Sequence, residues 1–279
     1  MHQINLNNKI ERCDLISDTN FKNVETKEIN DIKIEKVTVD KEISKKINKS
    51  VGKYISIAFT DITDFDKRNK LIKALTNELR NLLIEKELLG KSSLIVGLGN
   101  SLSTPDSLGP KTIDNIITTR HLFEIGEVDN NYSSVSKIAP GVYSTTGIEA
   151  FDIIKGLINR VKPSFVIIID SLCSRSINNI NRVIQITDSG IDPGSGVGNQ
   201  RKELSKRKLG IDTIAIGVPT VVNLHTIVKD LLNEYDIEEI LSKKDNNFMV
   251  TPKEIDFTIE KLSLVLSKSI NNSLHNLTK

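Results

Sequence analysis

Two carboxylates are the side chains best placed to do chemistry. Asp170 directly follows Val166-Ile167-Ile168-Ile169, an apolar run of the type found in strands covered on both faces. A carboxylate at the tip of such a strand is partly desolvated. Unpaired, that costs several kcal/mol, or the group raises its pKa and keeps its proton. A carboxyl held near neutrality at working pH suits general acid–base chemistry. Asp106 lies in VGLGNSLSTPDSLGPKTID, residues 96–114. This turn opens with Gly97 and Gly99 like a nucleotide-binding loop. It then places Thr104-Pro105-Asp106 where the third glycine is due, and that glycine comes only at Gly109. If the two acids face each other they share one proton, one acting as base on a water and the other as acid toward a leaving group. Each also has a purely structural reading. An acid after Pro105 suits the first turn of a helix, and an Asp at a strand tip caps the next helix.

A second feature is the loop ITDSGIDPGSGVGNQRKELSKRKLG. Gly190, Gly194, Gly196 and Gly198 let backbone approach a ligand closely, and Arg201 and Lys202 add positive charge. Asn100, Gly194, Ser195, Gly196 and Arg201 are therefore candidate substrate-binding residues. The loop lacks the G-x-x-x-x-G-K-[ST] phosphate pattern. Ser195 as a nucleophile would need a histidine, and His2, His121, His225 and His275 have no triad-like neighbours. No histidine pair has metal-ligand spacing, so neither metal nor cofactor is expected. Two other readings keep their place. One is a hard metal ion held between the two aspartates. The other is a nucleotide- or phosphate-binding module built on the glycine turns.

The elements that must position these residues alternate. Ile72, Leu75, Leu79, Leu82 and Leu83 recur at helical spacing before Gly90, and SSLIVGLG then reads as a buried strand. A helix from near Leu108 through ITTRHLFEIG, a strand at SVSKIAPG and a helix ended by Pro163 follow. SFVIIIDSL, INNINRVIQITDSG and IDTIAIGVPT read as strands, the last delivering Pro219 and Thr220 to the crevice. VVNLHTIVKDLLNEY reads as a helix, and the last helix opens on a capping box of Thr251, Pro252 and Glu254. The first sixty-odd residues are polar and weakly patterned, a loosely held leader with short strands near Val37 and at 53–61. Alternation predicts an α/β fold: one domain, a mostly parallel twisted sheet with helices on both faces, hydrolase-like, with a polar N-terminal extension. In such sheets the crevice lies past the carboxyl ends of the strands, where Asn100, Asp106 and Asp170 fall.

Composition removes several function classes. The chain has 279 residues, 4% aromatics and no tryptophan, so its core rests on Ile, Leu and Val. Basic and acidic residues nearly cancel, 38 against 36, which argues against bare nucleic acid or an anionic membrane as partner. The lysine-rich run over 35–53 reads as a solvated face. Cys13 and Cys173 lie far apart, which fits a reducing compartment. There is no apolar signal core at the N-terminus and no run of about 18 apolar residues, so a soluble, intracellular protein is expected.

Four stretches carry a resemblance. VGLGNSLSTPDSLGPKTIDNIITTRHLFE, KIAPGVYSTTGIEAFDIIKGLINRVKPSFVIIIDSL, SRSINNINRVIQITDSGIDPGSGVGNQRKEL and IDTIAIGVPTVV together resemble the germination protease of spore-forming bacteria, over roughly residues 94–224, and MVTPKEID matches as well. The resemblance implies an endopeptidase that degrades small acid-soluble spore proteins at germination. It also implies an atypical aspartic peptidase sharing a fold with hydrogenase maturation proteases, with essential aspartates at Asp106 and Asp170. It implies a zymogen that removes a short N-terminal segment, here residues 1–14, by a cut between Asp14 and Leu15. Residues 15–279 would then be the peptidase domain. A homotetramer in the cytoplasm of the spore core is implied too. Two departures stand out: Asp192 occupies a position where the family usually has His, and only about a dozen residues replace a long insert before the last helix. A degenerate, non-catalytic relative is the remaining reading, and both aspartates being present argues against it.

Overall fold

The computed structural model describes residues 15–17, 24–47, 49–194, 201–232 and 248–276, without the side chains of 229 and 230. Runs of Ile and Val alternate with amphipathic helices, and the strands join edge to edge in one sheet. Its members in chain order are β1 (Glu25–Ile29), β2 (Ile32–Val39), β3 (Gly52–Ala58), β4 (Ser93–Gly97), β5 (Val135–Ile138), β6 (Phe165–Ser174), β7 (Val183–Thr187), β8 (Asp212–Asn223) and β9 (Met249–Val250). The spatial order is β1-β2-β3-β7-β8-β6-β4-β5, with β9 beside the far end of β8. β5, β4, β6 and β8 run parallel and form the core. β7 is antiparallel to β8, and β3, β2 and β1 continue antiparallel. The sheet is thus mixed, with a parallel core.

Helices cover both faces. On one lie α2 (Phe65–Glu85), α3 (Leu108–Asp114) and the final helix α9 (Ile255–Leu274), described after α1 (Lys41–Ile47), α4 (Arg120–Ile125), α5 (Tyr143–Thr146), α6 (Ala150–Val161), α7 (Lys206–Leu209) and α8 (Leu224–Leu231). Leu75, Leu79 and Leu83 of α2 and Ile259, Leu262 and Leu266 of α9 pack with Ile167, Ile169, Ile184, Ile186, Ile214 and Ile216 of the sheet. Asp64 starts α2 by accepting the Lys67 N–H at 2.8 Å. On the other face, Ile154 and Ile158 of α6 and Leu209 of α7 meet Leu94, Val96, Val166 and Ile168. The alternation along β6 therefore sends odd residues to one layer and even residues, Asp170 included, to the other.

Four expectations change. The helix expected from Leu108 through residue 126 is two, α3 and α4. Thr119 breaks it, because its hydroxyl donates to Ser133 O and accepts the Val135 N–H, pinning that point to β5. The capping box does not form. Thr251 Oγ1 donates to Thr220 O at 2.8 Å, and α9 starts at Ile255 without a side-chain cap. Pro219 and Thr220 do not enter the crevice from a strand end. β8 runs on to Asn223, and Thr220 is buried. The strands expected near Val37 and at 53–61 form, as β2 and β3, but they do not stand apart as an extension: with β1 they continue the main sheet.

Gly97 and Gly109 explain how α3 settles on β4. A Cβ on Gly97 would collide with Gly109 O, and one on Gly109 would collide with Leu98 O. The glycines thus serve a backbone-to-backbone contact between strand and helix. Gly97→Ala is expected to cost about 1–3 kcal/mol or more through overpacking, measured by urea unfolding of the variant against the parent chain.

Candidate active site

Asp170 sits inside a strand, not at its end. β6 continues to Ser174, so no helix follows for it to cap. Its residue is 7% exposed, and Oδ1 accepts the Ser171 N–H at 2.9 Å. Its lateral neighbour on β8 is Gly217, and the neighbour of Gly217 on β7 is Gln185, which in turn lies beside Ser56 of β3. Register partners point to one face, so Ser56, Gln185, Gly217 and Asp170 form a row across four strands. Gly217 has no room for a side chain, because Leu172 leans over it.

Asp106 reaches the same end of the sheet by a different route. β4 pairs with β6 as far as Gly97 opposite Ile169, and the Leu98 N–H then donates to Ile169 O at 2.8 Å. Two residues on, the Asn100 N–H donates to Asp106 O at 3.0 Å and to Asp106 Oδ2 at 2.9 Å. Gly99 makes this possible. It adopts φ +110, and a Cβ there would strike Asp106 O. Thr104–Asp106 form a 3-10 turn that packs against both β6 and β8. The helix after it begins at Leu108, and Asp106 donates nothing to its capping. The chain path thus gathers both acid-bearing segments at the carboxyl end of the parallel strands.

Burial pushes the Asp106 carboxyl up to about 6, against the opposing pull of the Asn100 N–H and of the Arg201 guanidinium. Arg201 also lies 3.6 Å from Glu149, just before α6. The cation therefore stands between an acid of the crevice and an acid on the helix beside it.

The other predicted residues divide. Asn100 contributes its backbone, while its side chain accepts the Leu102 N–H at 3.0 Å and closes the turn. Gly194 has φ +72, and the loop it belongs to is closed at its base by two hydrogen bonds between Ile191 and Leu204. Ser195, Gly196 and Asp14 lie outside the described residues. Leu15 is fully buried, packed with Leu172 and Val183. Sequence reasoning missed Glu149 and the row through Gln185. A signal existed for the latter: Gln185 interrupts VIQIT between two isoleucines of a buried strand. Among the described residues no three His, Cys, Asp or Glu side chains gather as metal ligands, and no helix is long and apolar enough to cross a membrane.

The frame is a mixed α/β sheet with a parallel core, on which the Asp106 turn packs against the strand that holds Asp170. The chain belongs to the germination protease family, whose profile matches residues 1–235. It is 39% identical to the germination protease of Geobacillus sp. (strain WCH70), over 90% of this chain and 85% of that one. It is 39% identical to that of Bacillus licheniformis, over 88% and 83%, and 37% identical to that of Bacillus subtilis (strain 168), over 98% and 95%. The alignment with the last, 354 positions, is longer than this chain of 279 residues, so gaps fall within this chain. A solved [NiFe] hydrogenase maturation protease, HycI from Thermococcus kodakarensis KOD1, also matches at 18% identity and a TM-score of 0.37, over 65% of this chain and 94% of its own. The chain is a member of a protease family.

The raised Asp106 pKa has a sign for stability. A carboxyl with a folded pKa near 6 against an ordinary 3.8 favours folding when protonated, and that advantage is lost as pH rises through 6. The wild-type chain is expected to lose up to roughly 3 kcal/mol more than Asp106→Asn between pH 4 and pH 7.5. Paired urea titrations of the two proteins at both pH values measure it.

Proposed function

We propose that the chain is an endopeptidase that opens the degradation of small acid-soluble spore proteins at germination, using Asp106 and Asp170 to activate water. The observation that carries this reading is the packing of the Asp106 turn on the strand of Asp170, with the Asp106 carboxyl near 6. In a partly dry crevice a carboxyl with that pKa holds its proton for part of the time at neutral pH. Asp106 is the acid: it gives its one proton to the leaving amine as the tetrahedral intermediate collapses, and the proton that Asp170 takes from water restores it. Asp170 is the base that takes a proton from the attacking water. Arg201 offers positive charge beside them, and with Gly194 and the backbone of Asn100 it holds the substrate chain.

The same machinery removes residues 1–14 from the chain itself, by a cut between Asp14 and Leu15. The burial of Leu15 at Leu172, two residues from Asp170 on the same strand, supports that site. A homotetramer in the spore core completes the reading on family membership.

Asp170→Asn is expected to lower peptide cleavage at least about a thousandfold and to leave the intact mass of the chain unchanged on storage, with a melting temperature close to the parent. An Asp170→Asn variant that cleaves itself at the parent rate refutes the assignment. With Asp106 as acid, kcat/KM falls as pH rises above about 6. Arg201→Gln removes the charge that holds the Asp106 pKa down, so this falling limb moves to higher pH. A limb that stays in place, followed with one fluorogenic peptide over pH 5–9, removes Arg201 from the site.

A further inference from the structure

The face of the sheet that carries Asp170 is unevenly covered. α6 and α7 lie over β4 and β6. Over β3 and β7 lies the short N-terminal segment of residues 15–17. Leu15 is 0% exposed and sits among Leu172, Val183, Ala58 and Ile191. Ile16 is 2% exposed and sits with Val37, Val39 and Tyr54. Its backbone N–H donates to Gln185 Oε1 at 2.6 Å.

The floor beneath is built from residues that suit a peptide backbone. Gln185 and Ser56 put polar groups into this floor, and Gly217 puts none. Ser56 is 3% exposed, and its hydroxyl has no hydrogen-bond partner among the described residues. A buried hydroxyl left unpaired is costly. Leu172 is two residues from Asp170, about 7 Å along the strand. Gln185 is two strands away in the same row, about 10 Å. Leu15, at Leu172, therefore lies nearer the acid, and Ile16, at Gln185, lies farther from it.

We infer that this trough is the enzyme's binding site for the substrate residues that follow the cut bond, with Gln185 as the residue that grips the backbone. The first residue after the cut enters the apolar pocket of Leu172, Val183, Ala58 and Ile191. The second enters the pocket of Val37, Val39 and Tyr54, and its N–H donates to Gln185. The occupant is a peptide with two successive apolar residues on the leaving side. In the intact chain the protein's own Leu15-Ile16 fills the place, so a peptide supplied from outside must compete with it. The inference rests on the proposed function, on the two aspartates for the place of the chemistry and on the cut between Asp14 and Leu15 for its direction, and it assigns Gln185 a positioning role.

The test pairs a change in the enzyme with a change in the peptide. The chain carries Leu15→Ser and Ile16→Ser to free the trough. Two fluorogenic peptides with Asp-Leu-Ile at the cut differ only in N-methylation of the Ile nitrogen. The freed chain is expected to cleave the plain peptide several-fold better than the intact chain, through KM. N-methylation is expected to lower kcat/KM about tenfold with Gln185 present. Gln185→Leu is expected to lose about as much on the plain peptide and nothing further on the methylated one. An equal N-methylation penalty with and without Gln185 overturns the inference. Should the double substitution unfold the chain, the same cycle is run on the unsubstituted chain at peptide concentrations high enough to displace its own segment, with the same reading. A failed aspartate assignment is distinguishable: Asp170→Asn then still cleaves, whatever the N-methyl cycle shows.

Discussion

One N–H holds the crevice together. Asn100 donates from a single backbone position to both the carbonyl and the carboxyl of Asp106. The contact exists because Gly99 takes a left-handed φ and carries no side chain where Asp106 O passes. The contact ties the 3-10 turn, which packs on β6 and β8, to the end of β4. The hydrogen bond and the burial pull that pKa in opposite directions, and burial wins. A carboxylate fully stabilised by backbone donors would ionise well below neutrality and be useless as an acid. One shared N–H and partial exclusion of water leave it near 6 instead.

The mixed strand order decides where there is room for a substrate. A wholly parallel sheet is covered by crossover helices on both faces. Here β7 returns antiparallel beside β8 by the short connection from β6, which carries no helix longer than a 3-10 turn. β3 to β1 arrive from the N-terminal side by hairpin pairing. Among the described residues, neither connection lays a long helix over β3 and β7 on the Asp170 face. That face is covered by the segment of Leu15 and Ile16, with Ile43 and Ile47 of the short α1 at its edge, while α2 and α9 close the opposite one. The antiparallel half of the sheet is therefore what keeps a trough open next to the acid.

Much of this was legible in the residues. Val166 to Ile169 announced a doubly covered strand, and the acid after it stood out because burial of a lone carboxylate is costly. The alternation of strands and helices gave the parallel core. Three things were hidden. Gly97 and Gly109 look like a broken nucleotide fingerprint, because a glycine needed for ligand approach and one needed for helix–strand contact are the same residue in a one-dimensional string. Thr251 resembles a cap, but its hydroxyl is taken up by the carbonyl of Thr220, a contact set by strand pairing across 31 residues. The antiparallel order of β3 and β7 leaves no local mark, since strands of either direction bury the same Ile and Val.

Gln185 shows why such a row escapes a linear reading. Ser56, Gln185, Gly217 and Asp170 come from four strands and span most of the chain. Each alone has a bland explanation: a small residue, a stray amide, a glycine beside a leucine, an acid. Only the register makes them one line. Register is itself fixed by the apolar residues on the opposite face, because a one-residue slip would turn Ile55, Ile184 and Ile216 out of the core and Gln185 into it. The hydrophobic layer against α2 and α9 thus sets the position of the polar line on the other side. A substrate trough here needs no dedicated scaffold, for the alternate residues of well-packed strands already supply its floor.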